Sequence, residues 1–98
     1  MSKVVDITEK LSFDTNPKLK IKGKEYEVNA DAETVLLIMG ILSTEGDGPG
    51  ATKKMYELIF SEKEREKIKK LNLQFRDFSK VVESAVNLII GDEENQGE

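Results

Sequence analysis

The chain has 98 residues, which is room for one domain with one modest core and not for two. It has no His, Cys or Trp, so the commonest general base, the thiolate nucleophile, the commonest metal ligands and any disulfide are all missing. A net charge of −4 opposes general nucleic-acid binding, and the longest nearly apolar run, Val35 to Leu42, falls far short of the roughly 20 residues a membrane-spanning helix needs.

Residues 1–17 carry scattered apolar side chains (Val4, Val5, Ile7, Leu11, Phe13) whose spacing fits a short helix and a strand equally well. Met1 to Lys10 lacks the apolar stretch of an export signal, so a cytoplasmic location is expected. From Lys18 to Ile21 and from Lys24 to Val28 polar and apolar residues alternate with period two, which predicts a β-hairpin over 18–28 turning at Lys22-Gly23. That register sets Leu19 against Tyr26 and Pro17 against Val28 on one side, with Lys20 against Glu25 and Lys18 against Glu27 on the other.

Asn29 or Asp31 can cap a helix running to about Ser43. Its apolar residues, Val35 to Met39 with Ile41 and Leu42, point in every direction around the axis, which predicts a fully surrounded central helix. An acid at Leu37 or Ile38 is accordingly expected to unfold the domain. Thr44 to Gly50 holds three glycines and a proline and reads as a flexible loop. It is neither a phosphate cradle, lacking the spaced Gly and Lys after a strand, nor a calcium loop, lacking the alternate ligands.

A short helix follows from about Ala51 to Phe60, and Ser61 with Glu64 forms a capping box opening a charged helix, Glu62 to Leu71. Glu62, Glu64 and Glu66 stand three residues before Arg65, Lys67 and Lys69, so this basic run reads as self-neutralising, without the interleaved aromatics of a nucleic-acid platform. The last helix runs from about Gln74 to Ile90 and ends at Gly91, and residues 92–98 form an acidic tail expected to be disordered.

The fold class is therefore α+β, mainly α: a single domain over residues 18–91 in which an N-terminal β-hairpin packs on a small bundle of about four helices. Carboxylates are plentiful but fall on polar faces, caps or the tail, and no pair stands out, so neither catalysis nor a cofactor nor a metal is expected. The apolar residues of the last helix cover an arc of roughly 200°, about twice what packing on one core requires. Val81 and Leu88 on one flank, and Ile90 on the other, are the candidate partner-binding residues.

The order of these features, Gly23-Lys24-Glu25-Tyr26-Glu27-Val28, an apolar helix, Phe60-Ser61-Glu62-Lys63, Leu71-Asn72-Leu73, and Phe75-Arg76-Asp77-Phe78-Ser79-Lys80-Val81-Val82-Glu83-Ser84-Ala85, resembles the tail assembly chaperones of long-tailed phages and prophages of Gram-positive bacteria. The resemblance covers roughly Leu19 to Gly91. It implies a non-enzymatic protein of the host cytoplasm that binds hydrophobic helical segments of the tape measure protein during tail assembly, with self-association as a further expectation. The competing reading is a small structural virion or connector subunit that self-associates through its C-terminal helix.

Overall fold

A computed structural model describes residues 2–91; the acidic tail at 92–98 lies outside the described residues. Two strands, β1 (Lys18–Ile21) and β2 (Lys24–Glu27), are followed by four helices: α1 (Ala32–Glu45), α2 (Pro49–Ile59), α3 (Glu62–Lys69) and α4 (Phe75–Ile90). The chain is thus mainly helical with one antiparallel hairpin near its N-terminus, as its patterning predicts. Among the described residues no helix is long and apolar enough to cross a membrane.

The hairpin has the register derived above, from Lys18 opposite Glu27 to Ile21 opposite Lys24. Val28 N–H donates to the Pro17 carbonyl at 3.0 Å and extends the pairing by one step. Lys22 and Gly23 both have positive φ, 52° and 80°, the backbone of a two-residue turn whose twist matches the strands. The expected facing ion pairs give way to a diagonal one, Lys18 to Glu25 at 3.9 Å. Glu27 is otherwise engaged, accepting from Asn16 Nδ2 at 2.8 Å. Tyr26 and Val28 turn inward and are buried, and Lys67 of α3 lies 5.0 Å over the Tyr26 ring.

The centre of the core is α2 rather than α1. Ala51, Met55 and Ile59 recur at every fourth position, and together with Phe60 they meet Tyr26, Val28, Ile38, Ile68, Val82, Ala85 and Val86 in one cluster. Of α1 only Ile38 is buried, while Leu36, Leu37 and Met39 are exposed at 68%, 52% and 48%. The expectation of a surrounded α1 is therefore corrected. An apolar circumference arises either from burial on all sides or from one buried and one unpartnered face, and α1 has the second arrangement.

The glycine-rich connection is also shorter than expected. α1 continues through Glu45, Gly46 ends it at φ 78°, and Pro49 already occupies the first position of α2, where its missing N–H costs nothing. The capping assignments sort themselves between neighbours. Asp31 caps α1, whereas Asn29 donates through its N–H to Ile59 C=O (2.8 Å) and through Nδ2 to Leu58 C=O (3.1 Å). Arg65, expected to pair with Glu62, instead donates to the carbonyls of Glu57 (3.1 Å) and Phe60 (2.6 Å). These two side chains satisfy the orphan carbonyls at the end of α2, where the helix dipole favours a cation. The other two expected pairs in α3 are present, Glu64 with Lys67 at 2.9 Å and Glu66 with Lys69 at 3.8 Å.

Candidate functional site

Helix α4 sits against α1 and α2 with only part of its broad apolar arc. At 100° per residue, Val81, Ala85 and Leu88 lie on one side of that arc, while Phe75, Val82, Val86 and Ile90 lie on the other. Val82, Ala85 and Val86 are buried, and Val81 and Leu88 are half-buried against the same cluster. Ile90 is exposed at 38% and Phe75 at 58%. The three residues singled out by sequence therefore do not share one surface: Val81 and Leu88 pack on the core, and Ile90 opens on a groove.

That groove, of about 400 Å³, runs along the length of α4. One wall is the stripe Phe75, Ser79, Val82, Val86 and Ile90, and the other is made by Leu42 at the end of α1 with Pro49, Thr52 and Met55 of α2. Proline at the first position of α2 starts that helix directly behind Gly48, which brings the short connection, with Asp47, to the groove edge. The floor is apolar and the rim polar. Ser79, Glu83 and Asn87 border it from α4, and neither Asp47 nor Glu83 belongs to an ion pair among the described residues.

Phe75 also borders a second hollow, of about 430 Å³, with Tyr56, Leu73 and Phe78. Tyr56 meets Phe78 edge-on at 4.7 Å, and Phe78 lies 6.3 Å from Phe75. The Tyr56 hydroxyl donates to Arg65 C=O at 3.3 Å, and burial holds its pKa above the ordinary tyrosine value. Phe75 is thus supported from behind by aromatic rings while its own ring stays open to solvent. Sequence reasoning counted it in the apolar arc without singling it out. The signal that marks it is its place in the first turn of α4, about 60° from Ile90 around the axis, on the half of the arc away from Val81 and Leu88.

No protein-family model, curated protein or solved structure matches the chain. What the groove offers chemically is an apolar trough of about four helical turns, from Phe75 to Ile90, edged by two carboxylates that have no ion-pair partner among the described residues.

Proposed function

We propose that this chain is a non-enzymatic tail assembly chaperone, which holds hydrophobic helical segments of a tape measure protein in the host bacterial cytoplasm until the tail tube forms around them. The observation that carries the reading is the groove along α4, an apolar floor between two exposed apolar side chains, Phe75 and Ile90. Such a trough receives the apolar stripe of an amphipathic helix, with anchors spaced at three and four residues. Asp47 and Glu83 favour a partner helix that places Lys or Arg beside its stripe. The mode asks for binding and release rather than bond making, in line with a chain that lacks His and Cys. The residues that make the contact are then Phe75 and Ile90 at the ends and Val82, Val86 and Met55 on the floor.

The test is co-expression with a tagged apolar helical segment of a tape measure protein, followed by capture and a thermal melt. Phe75→Ser with Ile90→Ser is expected to leave the melt within a few degrees of wild type and to abolish capture, because both side chains are exposed in the free protein. Capture that survives this double change, with the segment still bound specifically, overturns the reading.

A further inference from the structure

Among the described residues, ten large apolar side chains are exposed, and they sort into three places. Phe75 and Ile90 stand at the ends of the groove. Leu36, Leu37 and Met39 form the outer face of α1, around Gly40, whose missing Cβ would meet nothing within 4 Å. The remaining five, Val4, Val5, Ile7, Leu11 and Phe13, belong to the arm that precedes the hairpin. Val4 is 91% and Phe13 75% exposed, and no residue of the arm joins the core cluster.

Among the described residues, the arm is tied to the rest of the fold at its base, at Asn16 and Pro17. Asn16 donates to Glu27 at 2.8 Å and accepts from Ala30 N–H at 3.2 Å, beside the first turn of α1. Beyond it the arm carries one turn of 3-10 helix, Thr8–Lys10, opened by Asp6, which accepts from Thr8 N–H at 3.0 Å. Among the described residues, every copy of the chain therefore presents an apolar ribbon without a seat and an apolar helix face without a cover. On the α1 face Gly40, between Leu36 and Leu37 around the axis, adds no side chain of its own and leaves the surface open.

We infer that the two are halves of one interface: the arm of one copy packs across the outer face of α1 of a second copy, and the exchange is reciprocal about a two-fold axis. The area matches what a stable dimer buries. Eight exposed side chains at on the order of 100 Å² each amount to about 800 Å² per copy. A reciprocal pair buries about 1,600 Å², the size of a standard stable protein interface, whereas a single arm on a single face reaches about half of that. Two-fold exchange also uses both surfaces on both copies and leaves neither open for a third. The groove along α4 takes no part, so the dimer and the proposed chaperone activity stand or fall separately.

Sedimentation equilibrium on three chains tests this. One is wild type, one carries Val5→Ser, Leu11→Ser and Phe13→Ser in the arm, and one carries Leu36→Ser, Leu37→Ser and Met39→Ser on α1. Wild type is expected to be a dimer, and each variant is expected to self-associate at least about a hundredfold more weakly. Mixing the two variants gives a heterodimer held by one intact arm on one intact face, which is expected to associate more tightly than either variant alone and more weakly than wild type. If the triple change on α1 disturbs the melt, Leu36→Ser alone, at the most exposed of the three positions, replaces it. A wild-type chain that stays monomeric overturns the inference by placing the arm on its own helix or elsewhere. A dimer indifferent to both sets of changes, or variants that fail to complement, overturns it as well.

Discussion

Asp31 caps α1 with both carboxylate oxygens: Oδ2 accepts from Thr34 N–H at 3.2 Å and Oδ1 from the Thr34 hydroxyl at 2.7 Å. These hydrogen bonds favour the charged form, the hydroxyl first and the backbone N–H second, and hold its pKa below the ordinary 3.8. The sign follows from linkage. A group whose pKa is depressed by folding stabilises the fold fully above its unfolded value and loses that contribution as the pH falls through the folded value. Asp31→Asn keeps an N-cap acceptor but does not titrate. Thermal melts from about pH 6 to about pH 2.5 should therefore run parallel for wild type and variant above about pH 4, with wild type losing ground below it. Curves that stay parallel throughout would mean that the cap does not depend on charge.

Helix α1 is where patterning and structure part. Val35 to Leu42 read as a surrounded core helix, and the reading failed because periodicity reports apolarity and not what covers it. The distinction is now a measurable one within two adjacent residues. Ile38→Asp puts a carboxylate into the fully buried core and should abolish the cooperative melt, at a cost of several kcal/mol. Leu37→Asp, half exposed within one chain, should keep a cooperative melt. Equal loss of folding in both would return α1 to the centre of the molecule. The hairpin, by contrast, was legible to the residue, since a period of two with one turn glycine admits one register that gathers Leu19, Ile21, Tyr26 and Val28 on one side. Less legible were contacts between elements. That Arg65 and Asn29 serve the end of α2, and that Val81 and Leu88 face inward while Ile90 faces the groove, depends on how helices are placed, which no single helix encodes.

At the scale of the whole molecule, the large exposed apolar side chains of the described residues lie on three surfaces, and each has a geometry of its own: a groove, a helix face and a ribbon. A small domain gains little from leaving such area in water, so clustered exposure is the mark of surfaces used by partners. The central claim is that the groove of α4 is the seat of a helical partner. It is tested most directly by titrating the isotopically labelled protein with a synthetic amphipathic helix carrying an apolar stripe flanked by Lys or Arg, while following each backbone amide by nuclear magnetic resonance. The account predicts that amide shifts concentrate at Asp47, Phe75, Ser79, Glu83, Asn87 and Ile90, with Val81, Leu88 and the arm unmoved. Shifts confined to the Val81 and Leu88 flank or to the outer face of α1, or no shifts at saturating peptide, would contradict it.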